Sequence, residues 1–157
     1  MAAVEKVVQA ERFELVDSQG NVRARLGAGA DGSPSLHLLD SNGAPRISLW
    51  VRSEPRMLTD EGPGLELCGE NAVARARISV RSDGAPAVRL LDEQGIERAV
   101  LALKPDGAPS LHLFNKGGQV RAMLDVLPEP DESGEHGALT VSGKSGSHTL
   151  KPRAKAR

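Results

Sequence analysis

Apolar and polar residues alternate singly along most of this chain. Phe13-Glu14-Leu15, Leu36-His37-Leu38, Leu65-Glu66-Leu67, Val88-Arg89-Leu90 and Leu111-His112-Leu113 each put an apolar residue at every second position. A second set of segments, Arg46-Ile47-Ser48-Leu49-Trp50-Val51 and Arg98-Ala99-Val100-Leu101-Ala102-Leu103 among them, follows the first set at a fixed distance. A period of two is the mark of a half-buried strand, because successive side chains in a strand point to opposite faces. Leu139-Thr140-Val141-Ser142-Gly143 is a weaker last copy.

The segments repeat as a unit. Each first segment ends at a turn residue, Asp17, Asp40, Gly69, Asp92 or Asn115, and an arginine follows six positions later, at Arg23, Arg46, Arg75, Arg98 and Arg121. The arginines are 23 residues apart, except for the 29 between Arg46 and Arg75. One unit is therefore two short strands and two turns, and such repetition signals an architecture built by stacking a small motif.

The turns read as hairpins. Lys104-Pro105-Asp106-Gly107 suits a type I turn with proline at its second position and glycine free to go left-handed at its fourth. Arg81-Ser82-Asp83-Gly84 and Ala30-Asp31-Gly32 are variants. The other class, represented by Asp17-Ser18-Gln19-Gly20 and Asp92-Glu93-Gln94-Gly95, predicts a longer loop built around a type I turn. Its aspartates are explained by hydrogen bonding to the backbone beyond them, without recourse to a metal.

The pairing register follows from the faces. If Phe13 faces Leu26 and Leu15 faces Ala24, the apolar residues share one side, and the other side pairs Glu14 with Arg25 and Val16 with Arg23. The same rule pairs Glu66 with Arg77. Opposite charges in such cross-strand positions contribute about 0.2–1 kcal/mol each. A parallel solenoid would instead stack Arg23 on Arg46 about 4.8 Å away, a repulsive arrangement. The expected fold is thus all-β, an antiparallel meander of tandem hairpins of about 23 residues.

Ten to twelve strands in an open meander leave an apolar face wet. A closed barrel of that size is too wide for side chains to fill, the more so with Ala24, Ala76, Ala99 and Ala122 at inward positions. The sheet is therefore expected to fold into a sandwich-like arrangement or to be completed by oligomerisation, as a homo-oligomer (a trimer or a dimer). The domain plan is an N-terminal segment 1–10, a β-repeat domain 11–127 with an insertion near 53–63, an acidic linker 128–137, a degenerate repeat 138–150 and a basic disordered tail 151–157.

Composition narrows the function classes. The net charge is −1 and aromatics are 2% of 157 residues, so neither a basic field nor a set of base-stacking platforms argues for nucleic acid. One cysteine permits no internal disulfide and fits a reducing compartment, and no apolar run approaches membrane-spanning length, so a cytoplasmic setting without membrane attachment is expected. No catalytic residue, metal site or cofactor is expected. His37 and His112 recur at one repeat position with no ligand-spaced partners and read as solvated strand residues. Cys68 fills a slot otherwise taken by Val16, Leu39, Leu91 and Phe114, and reads as a small hydrophobe. Gly27-Ala28-Gly29-Ala30-Asp31-Gly32 lacks the ending of a phosphate loop.

The units Leu15-Val16-Asp17 through Gly20 to Arg23, and Asp106-Gly107-Ala108-Pro109-Ser110-Leu111-His112-Leu113, resemble a group of uncharacterised bacterial proteins with tandem repeats of the form LxDxxGxxR and DGxPxLxL. The resemblance spans roughly residues 11–126 and implies a β-repeat fold with no activity attached to it. The expected function is a non-catalytic scaffold that self-associates or meets a protein partner. The candidate partner-binding residues are Arg23, Arg46, Arg75, Arg98 and Arg121 beside Val16, Leu39, Leu91 and Phe114. Two alternatives stay open: a small-ligand or nucleic-acid binding module using the arginine rows or the tail, and an enzyme with a site between subunits.

Overall fold

The structure, a computed structural model, describes residues 7–51, 61–126, 137–143 and 146–150. Every alternating segment in these stretches is a strand: β1 (Arg12–Val16), β2 (Val22–Ala28), β3 (Pro34–Leu39), β4 (Pro45–Trp50), β5 (Glu61–Cys68) and β6 (Ala74–Arg81). Then come β7 (Pro86–Leu91), β8 (Glu97–Leu103), β9 (Pro109–Phe114), β10 (Val120–Val126), β11 (Gly137–Gly143) and β12 (Gly146–Leu150). All twelve lie in one sheet in chain order, and each pairs antiparallel with its neighbours in sequence. Among the described residues, apart from a 3-10 turn at Glu70–Ala72 packed near β4, the main contacts between elements run between neighbouring strands. The sheet is an open meander of one layer.

The five-residue turns explain the topology, since a hairpin that short can only return the chain to the adjacent position. The two turn classes share one backbone. Asp17 N donates to Asn21 O at 2.9 Å and Gly20 N to Asp17 O at 3.0 Å; Lys104 N likewise donates to Ala108 O and Gly107 N to Lys104 O, both at 2.9 Å. Both are type I turns closed by a left-handed glycine, with φ 83° at Gly20 and 85° at Gly107. The longer loop expected for the Asp17 class is thus not formed. The loops differ in where aspartate sits. Asp17 Oδ1 accepts from the N–H groups of Gln19 and Asn21 (2.9 Å each), whereas Asp106, two places further into its own turn, caps only Ala108 N at 2.9 Å.

The register is as expected at Phe13↔Leu26, Glu14↔Arg25, Leu15↔Ala24 and Glu66↔Arg77. It departs from expectation at Val16, which faces Val22 instead of Arg23 because a β-bulge intervenes. The same one-residue shift recurs at Leu39↔Pro45, Cys68↔Ala74, Leu91↔Glu97 and Phe114↔Val120. In each case the extra residue of the bulge is the recurring arginine: Arg23, Arg46, Arg75, Arg98 or Arg121. A bulge puts two residues opposite one and sharpens the local twist. The arginine period in the sequence is therefore the period of a backbone irregularity.

Of the two ways to cover the apolar face, a sandwich within the chain does not occur among the described residues. On the two sides of the insertion near 53–63, β4 and β5 pair directly, Ile47 with Leu67. Residues 61–63 of that insertion are strand, opposite Arg81 and the residues before it, with a bulge between Glu61 and Gly64. Its remainder, the linker up to 136 and the basic tail lie outside the described residues. No helix among the described residues is long and apolar enough to cross a membrane.

Candidate functional site

Each strand presents two faces, and they differ sharply in what they carry. One is apolar from β1 to β10. A first row across it reads Leu15, Ala24, Leu38, Ile47, Leu67, Ala76, Leu90, Ala99, Leu113 and Ala122, each opposite the next in the pairing. A second row runs Phe13, Leu26, Leu36, Leu49, Leu65, Ile78, Val88, Leu101, Leu111 and Leu124. These side chains stand in the open: Leu15 is 64% exposed, and Ile78, Leu90 and Leu101 are each 52% exposed. Among the described residues no large side chain is fully buried, and the buried apolar set is Ala85, Ala87, Leu91 and Ala108.

The other face holds the charges. Glu14, Arg25, His37, Ser48, Glu66, Arg77, Arg89, Val100, His112 and Met123 form its central row. Arg77 Nη2 and Nε donate to Glu66 Oε2 at 2.6 and 2.9 Å, and Arg25 Nε to Glu14 Oε1 at 3.0 Å. Arg89 lies directly opposite Arg77, a like-charge pairing offset by Glu66 on one side and by Glu97 (3.0 Å from Arg89) on the other. Arg89 Nη1 also donates to Ser79 Oγ at 2.9 Å. The long arginine stems lie along a row of small residues, which explains why Ser79 is 2% and Ala87 3% exposed in a single-layered sheet. Trp50 covers the same row further along, its Nε1 donating to Gly62 O at 3.1 Å.

The arginines singled out by the sequence sit on this charged face along the edge of the aspartate turns, where Arg23 and Arg75 tie successive turns together. Arg23 Nε and Nη2 hold Asp17 Oδ2 at 2.9 and 2.7 Å, and Nη1 donates to the carbonyl of Asp40 in the next repeat at 2.7 Å. Arg75, whose own turn opens with Gly69 in place of aspartate, donates from Nε to Leu91 O at 3.1 Å, again one repeat ahead. Arg46 and Arg98 stand 3.7 and 3.9 Å from Asp40 and Asp92. The turn before Arg121 carries neutral Asn115, which caps Gly117 N at 2.9 Å. Of the apolar residues paired with them, Val16 is exposed, Leu39 and Phe114 are half-buried, and Leu91 is buried.

Titration follows these contacts. The backbone and side-chain hydrogen bonds from Asn21, with those of Gln19 and Arg23, hold the Asp17 carboxyl at about 2. The backbone N–H groups of Ala44 and Asn42, helped by Arg46 and Arg23, hold Asp40 below the usual carboxylate range. Burial and the neighbouring Glu66 push the Cys68 thiol up, which disfavours the nucleophilic thiolate, and Sγ donates to Glu66 Oε1 at 3.5 Å.

The histidines are half-buried and not solvated as expected. His37 Nδ1 and Nε2 lie 2.9 and 3.1 Å from the hydroxyls of Ser48 and Ser35, and His112 Nε2 lies 3.7 Å from Asp125, which Lys104 approaches to 3.0 Å. They stand on β3 and β9, six strand spacings or about 29 Å apart, too far to share a ligand. Among the described residues no group of three His, Cys, Asp or Glu side chains converges as a metal site would require. The candidate set thus divides: Arg23 and Arg75 are engaged in holding turns, and the large open surface is the opposite face, whose leucines the period-two alternation had already marked. No protein-family model matches the chain, and no curated protein is similar to it.

Proposed function

We propose that this chain is a non-catalytic β-repeat scaffold that self-associates through the apolar face of its sheet. The observation that carries the reading is the pair of apolar rows from β1 to β10, in which Leu15, Leu26, Leu38, Ile78, Leu90 and Leu101 among others are 41–64% exposed and Leu36, Ile47, Leu65 and Leu111 are half-buried. Isolated exposed apolar residues are ordinary, but a contiguous patch of many hundred Å² marks an interaction surface. Engagement of Arg23 by a turn carboxylate and a carbonyl, and of Arg75 by a carbonyl, supports a structural task for these positions. A single thiol in a half-buried slot supports a reducing, cytoplasmic setting.

The test is molar mass by light scattering across a wide concentration range, combined with urea unfolding at two protein concentrations. A self-associating scaffold gives a multiple of 16.6 kDa and a midpoint that rises with concentration. A folded monomer with a concentration-independent midpoint and no binding of an apolar dye overturns the proposal.

A further inference from the structure

We infer that the apolar face is covered by a second copy of the chain, laid face to face across a two-fold axis that runs parallel to the strands between β6 and β7. The inference rests on the self-association reading above and specifies its partner and geometry.

Area is the first consideration. Twelve strands about 4.8 Å apart, each contributing about five residues of 3.4 Å, make a face of roughly 900 Å². A stable interface needs about 800 Å² from each partner, so nearly the whole face must be matched. A partner that engages the full length has to share its pitch.

That pitch is two strands. In the first apolar row the odd strands carry leucine (Leu38, Leu67, Leu90, Leu113), and the even strands β6, β8 and β10 carry Ala76, Ala99 and Ala122. At the edge of the other turn class the alternation is reversed in bulk: Pro34, Pro86 and Pro109 open odd strands, while Val80, Leu103 and Val126 end even ones. The groove between these rows has a volume of about 350 Å³ beside Pro86, Val88, Leu101, Leu103 and Pro109. Where the rows alternate in bulk, large must meet small for two such faces to close evenly at the usual separation of about 10 Å.

A two-fold axis along the strands keeps each row opposite itself and reverses the strand order. With twelve strands, β6 then faces β7, β5 faces β8 and β3 faces β10, so an odd strand always meets an even one. Leu90 lands on Ala76, Leu67 on Ala99 and Leu38 on Ala122. In the edge row Val80 of the second copy enters the groove at Pro86, and Val126 meets Pro34. Ile47 on β4 meets Leu113, Leu15 on β1 meets His148 on β12, and the second row is large throughout, with Val88 on Ile78 and Leu65 on Leu101, so the match of large to small belongs to the first row and the edge row. A two-fold axis along the sheet instead places every strand on itself, with Leu90 on Val88 at β7 but Ala76 on Ile78 at β6, so the spacing the side chains demand would change from each strand to the next, whereas an axis along the strands keeps it even within each row. With a net charge of −1, the two copies meet little mutual repulsion.

The test reads distances between equivalent spin labels in the assembled protein. Single cysteines replace Ser82, Ser41 or Ser18, all exposed turn residues, in a Cys68→Ser background. Ser82 lies in the β6–β7 turn on the axis, so its two labels approach to about the sheet separation of 10 Å plus label length. Ser41 lies three strands from the axis and Ser18 five, giving about 30 and about 50 Å. A dimer mass with this rising series supports the inference. A dimer with equal distances at the three sites, or a trimer, overturns the two-fold placement while leaving self-association intact. A monomer overturns both.

Discussion

Arg23 reaches one repeat ahead of itself: while Nη2 holds the carboxylate of Asp17 at 2.7 Å, its Nη1 donates to the carbonyl oxygen of Asp40 at the same distance. One side chain so links two successive turns on the same edge of the sheet. In a single layer without a core, such links hold repeat to repeat where apolar packing does not. The guanidinium can do this because it offers several donors in a fixed plane, which the ammonium of lysine does not.

Arg23→Ala removes both bonds and leaves the Asp40 carbonyl to water. Charge-assisted bonds of this kind contribute about 1.5–3 kcal/mol when buried; with the Arg23 side chain 30% exposed, a loss of about 1 kcal/mol is expected. Arg23→Lys recovers only part of it. Urea midpoints of the two variants against the parent chain measure this, and equal midpoints for all three would remove the turn-linking function.

Acid should loosen the turns. Asp17 titrates at about 2 in the fold, below its ordinary value near 4. A depressed carboxyl stabilises the fold at pH above the unfolded value and loses that contribution as pH falls through the folded one. Stability therefore drops between about pH 4 and pH 2, and Asp40 adds to the drop in the same direction. Asp17→Asn keeps the cap, as Asn115 does naturally, and flattens that part of the curve. Urea midpoints across this window would show an unchanged slope if the carboxylate were idle.

The Glu70–Ala72 turn departs from its siblings in a way that invites repair. Asn71 and Ala72 both adopt left-handed backbone, φ 62° and 56°, and Ala72 sits where glycine closes the equivalent turns. A Cβ there costs about 1–2 kcal/mol, partly offset by the lower unfolded-state entropy of alanine. Ala72→Gly is expected to raise stability by about 0.5–1 kcal/mol, whereas Gly20→Ala, at φ 83°, lowers it. Thermal midpoints decide the sign.

Trp50 and Gly64 occupy one space. A Cβ on Gly64 would lie 2.6 Å from Trp50 Cζ2 and 3.1 Å from the carbonyl oxygen of Ile78. Gly64→Ala should cost about 1–3 kcal/mol and change the emission of the single tryptophan. Adding Trp50→Leu to Gly64→Ala should recover part of the loss. Strict additivity of the two changes would show that the residues do not meet.

Much of the register was legible before the fold was seen, because period-two alternation puts Phe13, Leu15, Ala24 and Leu26 on one side by geometry alone. The bulges were not legible. Nothing in Val22-Arg23 distinguishes two residues facing one from two residues facing two, and the arginine period looked equally consistent with a binding row. The Trp50–Gly64 contact was also hidden, since it joins strands across the long stretch between β4 and β5. The candidate site moved for the same reason: mixed residues at the turn edge attract notice in a sequence, while a face of leucines reads as core until the fold leaves it without a cover.

The sequence by itself determined the strands, the turns and the meander, because each depends on contacts within one hairpin: alternation, an aspartate cap, a glycine at positive φ. Only the tertiary structure decided that the sheet stays a single open layer and that each recurring arginine is the extra residue of a bulge. Those outcomes depend on how successive hairpins meet, a relation between units that no single unit encodes.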